Sequence, residues 1–262
     1  MIDCHSHIIF DVDDGCKTIE DSIDTIKNLN SIGFNKIVVT PHYLKGSSFI
    51  KNNKEKKEKL NILKEKLKEQ DINVELFLGN EIYIADDIDD LIIEKEATTI
   101  NKSRYLLIEL PLYNKLNNVE DILYELKIKG YIPVIAHPER YCYYSTKDLN
   151  NLYNQGVLFQ CNYGSIVGNY GKDTIKLIEY LLKNDMVTFM ATDIHRPGSS
   201  IIDNFSLIKK KIINIIGEEK FKKISYDNIL KMINDEKIED LFLLFFLIIF
   251  KRENKYNILQ FF

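Results

Sequence analysis

The chain begins MIDCHSHIIFDVDDG (residues 1–15), and the fold follows from how this stretch is read. Ile2 to Ile8 predicts a short β-strand, in which side chains two residues apart share a face. His5 and His7 therefore point the same way and can chelate one ion together. Cys4 and Ser6 point the other way, so Cys4 reads as packing rather than as a ligand. Asp14 follows in the loop beyond the strand. An H-x-H pair is by itself a moderate signal, and its weight rests on what the other strands bring to the same place.

Moving outward, further strands are predicted at Lys36 to Thr40, Val74 to Leu78, Tyr105 to Leu110, Ile132 to Ala136, Gly156 to Cys161 and Val187 to Ala191. Segments with helical spacing separate them, such as Ile19, Ile23, Ile26, Leu29 and Leu60, Leu63, Leu67. Thr18 predicts an N-cap for the first helix, and Asp21 completes a capping box. A repeated βα order with near-continuous apolar strands implies a parallel sheet covered by helices. Seven such units suit a barrel of TIM type or an open doubly wound sheet. No Pro/Gly/Ser-rich linker interrupts them, so residues 1–240 read as one catalytic domain. The Lys- and Glu-rich run Lys51 to Glu69 predicts a solvated amphipathic helix.

All five histidines fall at or just past the C-terminal end of a predicted strand: His5 and His7 in DCHSH, His42 in TPH, His137 in AHPER and His195 in TDIH. The two strand ends without a histidine carry Glu81, in LGNEIY, and Glu109, in LLIELP, and Asp193 precedes His195 by two positions. In a parallel α/β barrel these ends open onto one face, where groups from different strands converge. Nine nitrogen or oxygen ligands would then meet in one bowl. A buried glutamate without a partner is costly, and a cation removes that cost. Histidine with carboxylate and no thiolate excludes iron–sulfur clusters and disfavours a structural Cys-type zinc site. Mn²⁺, Fe²⁺ or catalytic Zn²⁺ remain, as two or three ions sharing bridging carboxylates.

Composition removes other classes. With 35 Lys+Arg against 39 Asp+Glu the net charge is −4, which argues against a nucleic-acid partner. Cys4, Cys16, Cys142 and Cys161 form no C-x-x-C pair and read as free thiols in a reducing cytoplasm. The opening has no positive segment ahead of an apolar run, so no cleaved secretory signal is expected. The longest apolar run, Leu241 to Phe250, is ten residues, where a bilayer span needs about 20. The tail 241–262 reads as core packing or a homo-oligomer contact, or else as a peripheral membrane contact ending in Lys251 and Arg252. No cysteine has an arginine six residues on, which excludes a C-x5-R phosphatase loop, and no P-loop or G-x-G-x-x-G is present.

The ordered segments MIDCHSHIIFDVDDG, TPH with Lys45-Gly46 after it, GNEIY, IELP, IAHPERY and ATDIH resemble those of the polymerase and histidinol phosphatase (PHP) superfamily, over about residues 1 to 236. More narrowly, the opening and the H-x-E-R-Y segment are similar to the manganese-dependent tyrosine-protein phosphatases of bacterial capsule and exopolysaccharide loci. The resemblance implies a distorted barrel of seven βα units holding up to three metal ions, manganese above the others. It implies one ion on His5, His7, Glu81 and Asp193, a second on Glu81, Glu109 and His137, and a third on Asp14, His42 and His195. It makes Arg140 the phosphate-binding arginine. Members of the family carry a second arginine in an R-P pair several residues past the last histidine, whereas here Arg196-Pro197 follows His195 directly. A local deletion would place Arg196 in that role.

The reaction follows from the ligands. Water on such ions becomes hydroxide near neutral pH and can attack phosphorus in line, while the ions and Arg140 stabilise the phosphoryl charge. The leaving phenolate, with a parent pKa of about 10, needs the third ion or a protonated His42. Tyr141, Tyr143 and Tyr144 read as packing for the rim or as a wall for a phenyl ring. Lys17 and Lys45 read as solvated surface or as added positive potential. By resemblance the substrate is a phosphotyrosine protein, a bacterial tyrosine kinase with a Tyr-rich tail. The competing readings are a small-molecule phosphatase such as a histidinol-phosphate phosphatase, and a non-catalytic metal-containing regulatory protein.

Overall fold

A computed structural model of the chain describes residues 1–47, 51–93 and 95–238. The tail 241–262 and the last residues of the proposed 1–240 domain lie outside the described residues. The described strands and helices alternate: β1 (Ile2–Asp3), α1 (Ile19–Ser31), β2 (Lys36–Val39), β3 (His42–Tyr43), α2 (Asn53–Glu69), β4 (Glu75–Leu78), β5 (Glu81–Tyr83), α3 (Ile88–Ile93), β6 (Tyr105–Glu109), α4 (Val119–Ile128), β7 (Ile132–Ala136), α5 (Thr146–Asn154), β8 (Leu158–Asn162), α6 (Lys172–Lys183) and β9 (Phe189–Ala191). Helices α7 (Ser200–Ile216), α8 (Glu218–Lys222) and α9 (Asn228–Ile233) follow.

Every pair of neighbouring strands is parallel. The ladders draw two sheets, β1-β2-β4 and β3-β5-β6-β7-β8-β9, rather than one closed ring of seven strands. The sequence underestimates two breaks. The second predicted strand resumes as β3 beyond Pro41, which has no N–H to give a ladder, and the third resumes as β5 beyond Gly79 and Asn80. A Cβ on Gly79 would lie 2.6 Å from Ile100 Cδ1, so a larger residue there would have to displace the Ile100 side chain. Asn80 then pins the break by donating from Nδ2 to Pro41 O at 2.7 Å and accepting from Thr98 N at 3.0 Å. The first predicted strand is shorter than its pattern. Residues 5–7 make single bonds to both neighbours, Thr40 N to Ser6 O (2.8 Å) on one side, Asp193 N to His5 O (2.9 Å) and His7 N to Ile194 O (2.8 Å) on the other.

The helices form where their sequences specify. Thr18 Oγ1 accepts from Asp21 N at 3.1 Å while Asp21 Oδ2 accepts from Thr18 N at 3.1 Å, closing the capping box of α1. That helix buries Ile23, Ile26 and Leu29. Helix α2 buries Leu60, Leu63 and Leu67 on one stripe, and Lys56 on the same stripe is fully buried with them, against the expectation of a wholly solvated charged face. Inside the strands, Ile2, Cys4, Val38, Tyr105, Leu107, Val134, Leu158 and Phe189 belong to one apolar cluster. Cys4 is thus a packing residue, and all four cysteines are free. Among the described residues no helix is long and apolar enough to cross a membrane.

Candidate metal centre

The nine side chains expected at the strand ends come together. His5 Nε2 lies 3.1 Å from His7 Nε2 and 3.1 Å from Glu81 Oε2, and His7 Nε2 lies 3.3 Å from the same oxygen. Asp193 Oδ1 is 3.5 Å from both imidazoles. Across Glu81, His137 Nε2 sits 2.9 Å from Oε1, and His42 Nδ1 sits 3.1 Å from Oε2 and 3.8 Å from Glu109 Oε2. At the mouth, Asp14 Oδ1 is 3.6 Å from both His42 Nε2 and His195 Nε2. Four clusters of donor atoms result: His5, His7 and Glu81; His5, His137 and Asp193; His42, Glu81 and Glu109; and His7, Asp14, His42 and His195. His42 joins the two glutamates in one of these groups, and His137 of the implied grouping reaches them as well, its Nε2 2.9 Å from Glu81 Oε1 and 4.0 Å from Glu109 Oε1.

Local backbone explains the convergence. His137 (φ +33°), directly after β7, and Asp193 (φ +53°), two residues past β9, adopt left-handed conformations. Such strain, of order 1–3 kcal/mol per residue, persists where surrounding contacts over-determine it. The Asp-Asp-Gly loop folds back on the first strand, and a Cβ on Gly15 would meet His7 O at 1.9 Å, so that position requires glycine.

The donor set fits divalent cations. His5 Nδ1 lies 2.7 Å from Gln160 Oε1 and His7 Nδ1 lies 2.7 Å from Asp13 Oδ2. Both partners are acceptors, so both rings carry a proton on Nδ1 and turn bare Nε2 lone pairs toward each other and toward a carboxylate. Glu81 Oε2 and His137 Nδ1 are buried without hydrogen-bond partners among the described residues. Lone pairs facing one another in a dry site repel unless a positive charge sits between them. The surrounding acids favour positive charge at this point. Burial would depress His5, but Glu81 and Asp193 outweigh it and raise it to about 9. Burial and the neighbouring Glu81 push Glu109 up to about 8. Burial would likewise raise Glu81, yet His5 and His42 hold it well below the ordinary carboxylate range.

Arg140 stands at the edge of this centre. The Pro138–Arg140 turn brings its guanidinium 3.3 Å from Asp193 Oδ2 and 4.6 Å from the centre of the Tyr170 ring, with about a quarter of the side chain (23%) exposed. Arg196 is exposed in the turn after His195. Tyr141 is fully buried and accepts from Leu110 N at 2.9 Å, and Tyr143 donates to Pro111 O at 2.6 Å, so these rings pack the loop onto the end of β6. Lys17 donates to Asp13 O at 2.7 Å, and Lys45 pairs with Asp87. The site also contains Asp13, Gln160 and Asn162, which the strand-end pattern does not single out. A signal existed for the last two, because LFQCN ends an apolar strand with polar residues two apart.

A parallel α/β scaffold that gathers histidines and carboxylates from successive strand ends beside an arginine defines a class of metal-binding α/β proteins. Within it the chain belongs to the capsular polysaccharide synthesis CpsB/CapC family, whose model matches residues 1–234. CapC of Staphylococcus aureus is 38% identical over 217 residues, 82% of each chain. The tyrosine-protein phosphatase CpsB of Streptococcus pneumoniae is 33% identical over 248 residues, 91% of this chain and 100% of that one. A solved structure from a study of YwqE from Bacillus subtilis and CpsB from Streptococcus pneumoniae, described as unique metal-dependent tyrosine phosphatases, superposes with a TM-score of 0.79 at 27% identity. It covers 91% of this chain and 96% of that one. The narrower resemblance of the opening and the H-x-E-R-Y segment points to this same group.

Proposed function

We propose that the chain is a metal-dependent phosphotyrosine-protein phosphatase. The observation that carries this reading is the meeting of nine donor side chains with Arg140 at one mouth. Residues His5, His7, Glu81 and Asp193 would hold one ion, Glu81, Glu109 and His42 or His137 a second, and Asp14, His42 and His195 a third. Bound there, such ions would supply a nucleophile from water and neutralise charge on the phosphoryl and leaving oxygens. The His–carboxylate set suits Mn²⁺, with Fe²⁺ or Zn²⁺ also compatible.

The chain's own groups do the rest. Arg140 would grip two phosphoryl oxygens through its planar fork, turned partly from Asp193 toward the open side. Burial holds His42 below the ordinary imidazole range, which favours the neutral ring of a ligand over a protonated acid for the phenolate. Arg196, exposed beside the mouth, would meet substrate rather than the reacting phosphorus. The single bonds that residues 5–7 make to both neighbours support reading the two sheets as segments of one distorted seven-unit barrel. In line with the capsule family, the substrate would be the phosphorylated Tyr-rich tail of a bacterial tyrosine kinase in the cytoplasm. Residues 241–262 would serve as an oligomer contact, or else as a membrane contact. Deleting them and measuring oligomer size and liposome binding separates the two.

The deciding experiment combines elemental analysis with turnover of a phosphotyrosine peptide and of histidinol phosphate by one Mn²⁺-loaded preparation. Preference for the peptide supports the proposal. Preference for histidinol phosphate, or metal without turnover, removes it in favour of a small-molecule phosphatase or a regulatory protein.

A further inference from the structure

We propose that Asn162, the last residue of β8, is a positioning residue that couples the ligand side of the centre to Arg140; the idea rests on the phosphatase reading above. The amide is fully buried, and its partners fix its orientation. Its Nδ2 donates to Asp193 Oδ2 at 2.8 Å, and an ionised carboxylate only accepts. Oδ1 must therefore face Gln160, whose Nε2 donates to it at 2.8 Å. That in turn leaves Gln160 Oε1 to accept from His5 Nδ1 at 2.7 Å. His5 Nε2 then faces Asp193 Oδ1 at 3.5 Å, which closes a ring of four side chains on four neighbouring contacts. One carboxylate at Asp193 sets two amides, and the amides set the tautomer of a candidate ligand on another strand.

The other arm reaches the arginine. Asn162 Nδ2 also lies 3.4 Å from Tyr170 Oη, and the Tyr170 ring supports the Arg140 guanidinium at 4.6 Å. The backbone N–H of Asn162 donates to Glu139 Oε1 at 2.7 Å, where Ser165 Oγ donates at 2.6 Å. Glu139 is the residue before Arg140, so the turn carrying the guanidinium is tied to the end of β8. Asp193 Oδ2 completes the second circuit, since it accepts from both Asn162 and Arg140. Asn162 and Asp193 thus border both circuits, and Asn162 is the one that is not itself a candidate ligand. Buried networks of this kind orient metal ligands and typically change metal affinity 10–100-fold when cut.

Three apolar substitutions separate the arms: Gln160→Leu on the ligand side, Tyr170→Leu on the arginine side, and Asn162→Leu at the joint. Two titrations read them. One measures Mn²⁺ binding to metal-stripped protein by calorimetry, and the other measures inorganic phosphate binding to the same protein at saturating Mn²⁺. Gln160→Leu should weaken Mn²⁺ about 10–100-fold with phosphate binding unchanged. Tyr170→Leu should weaken phosphate several-fold with Mn²⁺ unchanged. Asn162→Leu should weaken both. If Asn162→Leu does not fold, the opposite responses of the two single-arm variants carry the test. The proposal is overturned if folded Asn162→Leu keeps either affinity, or if the two arm variants lose both affinities alike. Neither titration needs turnover, so a wild-type protein that binds Mn²⁺ and phosphate but hydrolyses no phosphotyrosine peptide would refute the phosphatase reading and leave the coupling decided on its own terms.

Discussion

His7 Nδ1 and Asp13 Oδ2 lie 2.7 Å apart, and the same carboxylate oxygen accepts from the backbone N–H of His42 at 2.9 Å while its twin accepts from Gly15 N at 2.9 Å. One acid therefore aims two candidate ligands from two strands. Burial would raise Asp13, but His7 outweighs it and keeps the carboxyl ionised. Asp13→Ala is expected to weaken Mn²⁺ binding about 10–100-fold. Competition against a calibrated chelator measures this, and an unchanged dissociation constant would show that His7 is held by packing alone.

Arg140 is expected to act on phosphate and not on ions. Its contact with Asp193 is long, at 3.3 Å, and the side chain keeps an open face. Removing one such charge donor from a transition state costs about 10²–10³ in rate. Arg140→Ala should lose turnover of phosphotyrosine peptide by that factor at unchanged metal content. Arg196→Ala, on an exposed turn, should change turnover less than tenfold on a small aryl phosphate. Near-normal rates in Arg140→Ala would take the arginine out of the mechanism.

Chelation should remove both activity and stability. His5, His7, Glu81 and Asp193 crowd like-facing lone pairs in a buried site, so a ligand that binds only the folded state stabilises it by mass action. At a metal concentration a hundred times the dissociation constant the gain is about 2.7 kcal/mol. Metal-stripped protein should melt several degrees lower, and Mn²⁺ should restore both the melting temperature and turnover. Equal melting with and without metal would argue against the centre.

The legible parts of this molecule are those where local pattern and long-range contact agree. The strand-end histidines announced the mouth because parallel strands all discharge onto one face, and Thr18 with Asp21 announced a helix start that the structure closes by two hydrogen bonds. Register breaks were not legible. At Gly79 and Asn80 the strand breaks where Asn80 bonds to Pro41 O and Thr98 N, partners that no local window contains. Gln160 and Asn162 are not legible as site residues because their bonds go to His5 and Asp193, which other strands supply. Lys56 escaped for a similar reason, since a Lys/Glu-rich helix looks uniformly solvated until its neighbours are placed.

Lys56 yields the sharpest pH prediction. The side chain is fully buried on the apolar stripe of α2, its Nζ 5.0 Å from the centre of the Tyr43 ring, with no hydrogen-bond partner among the described residues. Burial lowers its pKa from 10.5 to about 7, and the fields of Asp13, Glu96 and Glu55 offset this only in part. Between about pH 7 and 10.5 the unfolded chain holds a proton that the folded chain has released, so this residue makes stability rise with pH across that window and imposes its full cost below it. Lys56→Met keeps the volume and the stem and removes the charge. It should stabilise the metal-loaded protein by up to about 5 kcal/mol at pH 6–7, or roughly 10–20 °C in melting temperature. The gain should shrink toward pH 10, where the native amine is already neutral in the fold. Melting curves of the two proteins at pH 6, 8 and 10 supply the measurement. A difference that is absent or independent of pH would mean that Nζ keeps its proton through a partner the buried position does not reveal.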